Sequence, residues 1–232
     1  MISILIPTHK RPLLFERCIK SVLPFDFISE IIVNNDSKDI TEIKDPRISY
    51  YYNTYDDISS IYKFLFTKTT QEYVMYLEDD DYLLDAFTWI KSLLVNDIII
   101  QHYVDLDNQY WFMNTKYIKA MKDIKTKKDY VCKLFKSGFF RYFQLSQLVF
   151  KRSIVPLDKF PKGNNIFNDF KFLLNLNSEQ IKLLYINTWK QSNDDINRIS
   201  SKHNTDKRFK SQYLKEEKEY REMINETYDN CL

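Results

Sequence analysis

Four carboxylates stand side by side, Glu78-Asp79-Asp80-Asp81, at the end of the apolar run Tyr73-Val74-Met75-Tyr76-Leu77. Like charges at that spacing repel, and burying any of them is costly unless a cation compensates. A hard divalent cation supplies that compensation. Mg²⁺ or Mn²⁺ takes oxygen ligands, commonly one or two carboxylates with the remainder from phosphate oxygens of a substrate. Such an ion would tie the carboxylates to a diphosphate and act as a Lewis acid on a phosphate leaving group. The competing reading is a solvated polar turn with no ligand. Two more polar clusters follow apolar runs in the same way: Pro7-Thr8-His9-Lys10-Arg11 after Ser3-Ile4-Leu5-Ile6, and Asn34-Asn35-Asp36-Ser37 after Ile31-Ile32-Val33.

These clusters need elements that bring them together. The short apolar runs SILIPT and EIIVNN read as buried parallel strands, ISYYYN as a third and EYVMYLE as a fourth. Between them RPLLFERCIKSVL places Leu14, Cys18 and Val22 at helical spacing with Pro12 suited to a first turn, and DISSIYKFLFTKT places Ile58, Ile61, Tyr62, Leu65 and Phe66 on one side of a helix. DAFTWIKSLLVN reads as a helix with Asp85 near its N-cap. This alternation predicts an α/β fold, a doubly wound, mainly parallel sheet, over the first 100 residues or so. In such sheets ligands bind beyond the carboxyl ends of the strands, so the three clusters should meet in one crevice. The second half is less regular: DIIIQHYV, QYWFMN and KLLYINTWK read as strands, TKYIKAMKDIK and NDFKFLLNLN as helices, and FQLSQLVFKRSIV as a strand entering a turn or helix. The expected organisation is one domain over residues 1–200. A charged helical extension, peripheral to the core, occupies 201–232.

Composition narrows the chemistry. The 232 residues are 44% hydrophobic and 16% aromatic, enough for a large core. Only two glycines occur, Gly138 and Gly163, which excludes GxGxxG and Walker A phosphate loops. Cys18, Cys132 and Cys231 are odd in number and far apart, so neither a disulfide nor a zinc site is expected and a reducing compartment is the natural setting. The start, MISILIPTHKRP, lacks a basic n-region and no run reaches transmembrane length, which sets the expectation of a cytoplasmic protein. Net charge is +2 but uneven: residues 26–85 hold 14 acids against 5 Lys/Arg, and residues 116–152 hold 11 Lys/Arg against 2 acids. The second stretch favours an anionic partner, or is a solvated basic face.

The segments SILIPTHKRPLLFERCIKSVL, EIIVNNDSKD and YVMYLEDDDYLLD, in that order, resemble the nucleotide-binding half of the family 2 glycosyltransferases of GT-A fold. The resemblance covers about 90 residues well and extends weakly to about residue 200. It implies a nucleotide-binding half at 1–100 and an acceptor half at 101–200, a nucleotide-diphosphate sugar donor, Mn²⁺ or Mg²⁺, and transfer to an acceptor hydroxyl with inversion. Pro7, Thr8 and His9 would line the nucleoside pocket, and Arg11 matches the arginine of the family's first motif. Asn35 stands where the family has an Asp that reads the base edge. Glu78-Asp79-Asp80 aligns with the Asp-x-Asp motif, Glu78 toward the ribose or metal and Asp80 as the metal ligand. Asp169, in NNIFNDFKFLLNL, falls at the acid that takes the acceptor proton; its alternative is an acid interacting with a helix dipole. His203, with Arg198 and Lys202, lies where some members place groups over the diphosphate and the metal. The implied acceptor is a glycan; the basic 116–152 region leaves open DNA with hydroxymethylated bases, reached by a flipped base or a strand track. Two other readings stay in play: a binding module without catalysis, since Asn35 and Asn168 stand at positions often acidic in the family, and a nucleotidyltransferase releasing pyrophosphate.

Overall fold

The computed structural model describes residues 1–105, 120–137, 143–164, 167–191, 207–228 and 231. The first strand, β1 (Ile2–Thr8), is buried at all seven positions, as a central parallel strand requires. Helix α1 (Pro12–Val22) begins on the proline and buries Phe15, Cys18, Ile19 and Val22, one helical stripe. Strands β2 (Ile28–Asn35) and β3 (Ile48–Tyr51) follow. Helix α2 (Ile58–Lys68) starts at Asp57, whose side chain accepts the Ser60 N–H at 2.9 Å, a capping bond worth about 1 kcal/mol. Strand β4 (Tyr73–Tyr76) is wholly buried and delivers the chain to the acidic run. Then come β5 (Tyr82–Leu83), a 3-10 segment at Asp85–Leu93, β6 (Ile98–Asp105), α3 (Lys127–Ser137), β7 (Leu148–Lys151), α4 (Asn168–Asn175), β8 (Ile181–Gln191) and α5 (Lys207–Thr227).

The described strands form one sheet in the order β3-β2-β1-β4-β7-β6-β8-β5. β1 pairs in parallel with β2 and β4, and β2 with β3. β7 runs antiparallel to both β4 and β6, and β5 antiparallel to β8, so six strands share one direction and two oppose it. Register places Thr8 beside Asn35 and Leu5 beside Tyr76. The carboxyl ends of β1, β2 and β4 therefore reach the same edge, with the acidic run one residue beyond Leu77.

The structure differs from the expectation in three places. The segment after Asp85 is helical but wound as 3-10. Helix α3 falls in a stretch read only as basic; Tyr130, Val131, Leu134 and Phe135 give it a buried face. QYWFMN lies outside the described residues, as does the start of TKYIKAMKDIK, through residue 119. The cysteine expectation is corrected: Cys132 and Cys231 form a disulfide, with Cα atoms 5.1 Å apart, inside the usual bridging range. A separation of 99 residues hid the pair, because nothing in linear spacing shows that the tail returns to α3. Helix α5 is correspondingly no loose appendage. Tyr220, Ile224 and Tyr228 are buried, Tyr220 packs on Phe167 (ring centroids 5.1 Å) and the Arg221 guanidinium lies over Phe135. No helix among the described residues is long and apolar enough to cross a membrane.

Candidate active site

A cavity of about 910 Å³ opens where β1 hands over to α1. Pro7, Thr8, His9, Arg11, Glu78 and Asp79, all singled out from the sequence, line it. Lys10, Asp36 and the apolar side chains of Leu13, Leu14, Ile58 and Ile61 complete much of the wall. Charge is paired across the cavity floor. Arg11 Nη1 donates to Asp79 Oδ1 at 2.9 Å and stands 3.7 Å from Asp80 Oδ2. His9 Nδ1 lies 2.6 Å from Asp36 Oδ1, and the His9 backbone N–H points at Asp79 Oδ2 at 3.4 Å. Arg17 donates to the Asp80 carbonyl at 3.1 Å and stacks its guanidinium over Tyr82. The opening charge conflict is thus relieved partly by the Arg11 guanidinium.

The relief is incomplete. Burial pushes the Glu78 carboxyl up to about 8, with Asp80, Asp169 and Asp79 adding like-charge repulsion against a bond from Tyr62 that pulls the other way. Burial also raises Asp79, while Arg11 and the Thr8 hydroxyl oppose it. Asp79 and Asp80 are nearly inaccessible as residues, 2% and 4% exposed. Adjacent buried carboxylates with oxygen-only donors and one shared guanidinium suit a hard divalent cation that also takes phosphate oxygens. Among the described residues no three His, Cys, Asp or Glu groups form a ready metal cage.

The other predicted positions stand around this cavity rather than in its wall. Asn35 is fully buried behind Thr8 and Asp36; its Oδ1 accepts from the Ser37 N–H (3.2 Å) and hydroxyl (2.8 Å), an Asx turn that ends β2. Asp80 is buried beside Asp79 and is not one of the lining residues. Asp169 sits on the far side of Tyr62, in a void of only about 10 Å³ that Tyr62 also lines. Its half-buried carboxylate accepts the Leu145 N–H at 3.1 Å, and burial lifts it to about 6. Asn168 is a structural tie, donating to Ser59 Oγ (2.7 Å) and the Gly163 carbonyl (2.8 Å). His102 is buried on β6, where burial lowers it to about 4 and keeps it neutral. His203 lies outside the described residues.

Sequence reasoning missed Tyr62 as a polar member of the site. It reads as one more apolar position of α2, yet its hydroxyl bonds Glu78, and its backbone carbonyl accepts from Tyr76 at 2.8 Å. An i, i+3, i+4 pattern cannot separate a tyrosine that packs from one that packs and also bonds a carboxyl at the next strand end.

Comparison with known proteins adds an independent view. The family described as Glycosyl transferase family 2 matches residues 3–140, more than half of the chain. Residues 1–349 of S. aureus TarS in complex with UDP-GlcNAc superpose with a TM-score of 0.61 at 13% identity, covering 86% of this chain and 60% of that one. The same S. aureus fragment with UDP gives a TM-score of 0.56 at 12% identity, over 82% of this chain and 60% of that one. This chain therefore spans well under two thirds of those structures, and identity at that level speaks for the fold. No curated protein sequence matches significantly.

Proposed function

This chain belongs to glycosyl transferase family 2 and has the GT-A fold, and on that premise we propose that it transfers a sugar from a nucleoside diphosphate donor to an acceptor hydroxyl, with inversion. The observation that carries the reading is the meeting of three strand ends in one cavity walled by Thr8, His9 and Arg11 on one side and Glu78 and Asp79 on the other, inside the matched region. The S. aureus complexes with UDP and UDP-GlcNAc support a nucleotide-sugar donor.

In this reading Pro7, Thr8 and His9 receive the nucleoside and Asn35 backs the base side. Arg11 bridges the donor to Asp79 and Asp80. Asp80, with Asp79 beside it, would hold Mg²⁺ or Mn²⁺, which when bound supplies charge neutralisation and Lewis-acid stabilisation for the diphosphate leaving group. Asp169 removes the acceptor proton; its raised carboxyl is better matched to that task near neutral pH than an ordinary aspartate. Tyr62 stands between the donor carboxyl Glu78 and the chamber of Asp169. The acceptor is a glycan in the first reading. A DNA acceptor is favoured by one observation: Lys122, Lys125, Lys128 and Lys136, on and before α3, are exposed.

A panel of UDP-, GDP- and CDP-sugars with Mn²⁺, with and without EDTA, tests the proposal through release of nucleoside diphosphate, followed by an acceptor screen that includes hydroxymethylated DNA. Release that needs the cation supports the transferase. Binding without turnover in the presence of every acceptor identifies a module without catalysis. Pyrophosphate release from a nucleoside triphosphate and a sugar phosphate identifies a nucleotidyltransferase.

A further inference from the structure

The loop between β1 and α1 carries three consecutive basic residues, His9, Lys10 and Arg11, and all three line the 910 Å³ cavity. Two are committed. His9 is paired with Asp36 and Arg11 with Asp79. Lys10 is different: among the described residues no carboxylate pairs with its ammonium, and the residue is exposed. Its backbone is also unusual, with φ +54, in the left-handed region that is costly for any residue bearing a Cβ. That conformation is held by the Lys10 N–H donating to Ser37 Oγ at 2.9 Å, and Ser37 in turn bonds Asn35. Left-handed backbone alone decides nothing here, since Lys38 adopts it too (φ +58). The combination does: a strained, anchored position at the cavity wall, filled by a lysine whose ammonium no carboxylate among the described residues neutralises.

We propose that Lys10 is the donor's diphosphate-binding cation, held by a strained turn so that an uncommitted ammonium faces the anionic part of the ligand. Arg11 has part of its charge taken up by Asp79, whereas Lys10 gives up no carboxylate partner. The inference rests on the nucleoside diphosphate reading of this cavity. It adds a binding residue that neither the strand-end pattern nor the acidic run identifies. The strain also predicts a trade of stability for function, since glycine would relax the turn while deleting the charge.

Isothermal titration of UDP, GDP and CDP, each beside its nucleoside and all with Mn²⁺ present, into wild type, Lys10→Met, Lys10→Gly and Lys10→Arg tests this. Taking whichever diphosphate binds wild type, Lys10→Met and Lys10→Gly should each weaken it roughly tenfold. Lys10→Arg should stay within about threefold, and the nucleoside should be unaffected by any of them. The wild-type affinity should fall more steeply with salt than that of Lys10→Met. Lys10→Gly should melt level with wild type or about 1–3 °C higher, despite its weaker binding. Undiminished diphosphate binding by Lys10→Met overturns the proposal. So does equal loss of diphosphate and nucleoside, which marks a structural role, or loss in Lys10→Gly alone, which marks the backbone and not the charge. If none of the three diphosphates binds wild type, the donor reading itself fails, a result distinct from all of these.

Discussion

Asp169 accepts one backbone hydrogen bond, from Leu145, in a setting that lifts its carboxyl to about 6. A general base must be ionised to act, so kcat should climb as pH rises through about 6 and level off above it. Asp169→Asn should lower kcat by roughly 10²–10⁴-fold and remove that rise, with the donor's Kd nearly unchanged. Near-normal turnover in the variant would reduce Asp169 to an acid at the first turn of α4 and move the search to other acids nearer the C-terminus, first Asp194 and Asp195, which lie outside the described residues. Asp80 asks for a different experiment. It is buried beside Asp79 within 3.7 Å of Arg11, and its proposed task is to hold a cation by charge. Asp80→Asn keeps the shape and removes the charge, so donor binding should lose its dependence on Mn²⁺ while the fold survives. Full activity in that variant, or activity indifferent to EDTA in wild type, would take the metal out of the mechanism. Because Asp80→Asn should damage both donor binding and turnover, while Asp169→Asn should damage turnover alone, a general loss of folding cannot imitate the two signatures together.

Elements whose burial is set by their own neighbours were legible before any coordinates. β1, β2 and β4 are each built on a short apolar run that gives way to polar residues, and each sits where its run placed it. The six wall residues from Pro7 to Asp79 followed, because parallel strands must end at one edge. What stayed hidden depended on contacts made by distant chain. Helix α3 is half lysine on its surface, so its apolar face was masked by charge, and Lys127 shows the cost of counting charge without placement. Lys127 is 4% exposed, and its ammonium donates to the carbonyls of Leu174 (3.1 Å) and Leu176, where it closes the end of α4. Lys127→Met should therefore destabilise the protein by about 1–3 kcal/mol, read by denaturant melts, because two buried carbonyls lose their donor. It is no reporter of a binding surface. A fair test of an anionic acceptor replaces Lys122, Lys125 and Lys136 by Glu, since all three are exposed. If DNA is the acceptor, its binding and the salt slope of that binding should both fall, with donor affinity preserved. Binding of hydroxymethylated DNA that is absent at low salt in wild type would leave the glycan acceptor.

At the scale of the whole molecule the disulfide joins α3 to Cys231 and closes a loop that includes β7, α4 and β8. Noncovalent packing already draws the tail in: Tyr220, Ile224, Tyr228 and Cys231 are all buried, and Lys128 lies over the Tyr228 ring. The crosslink adds a constraint on the unfolded chain. For a loop on the order of 100 residues the chain-entropy view gives about 4.7 kcal/mol, and measured contributions are usually about 2–4. A domain of this size shifts its melting temperature by roughly 2–4 °C per kcal/mol. Reduction by dithiothreitol, or Cys132→Ser, should then lower Tm by about 4–16 °C, while the packed face of α5 keeps the reduced protein folded at room temperature. Cys18 provides the control. Its thiol is fully buried under α1 against the Glu78 carbonyl at 3.5 Å, and burial pushes it far above the ordinary thiol range, so it should neither react nor exchange. Thiol counting under native conditions should find no reactive cysteine before reduction and one of three after denaturation without reductant. The two perturbations must also converge: dithiothreitol should leave the Tm of Cys132→Ser where it is, because the bond it cuts is already gone. If wild type melts at the same temperature with and without dithiothreitol and shows three thiols on denaturation, the bond does not form in solution. The reducing compartment inferred from three scattered cysteines would then stand, with α5 held by packing alone.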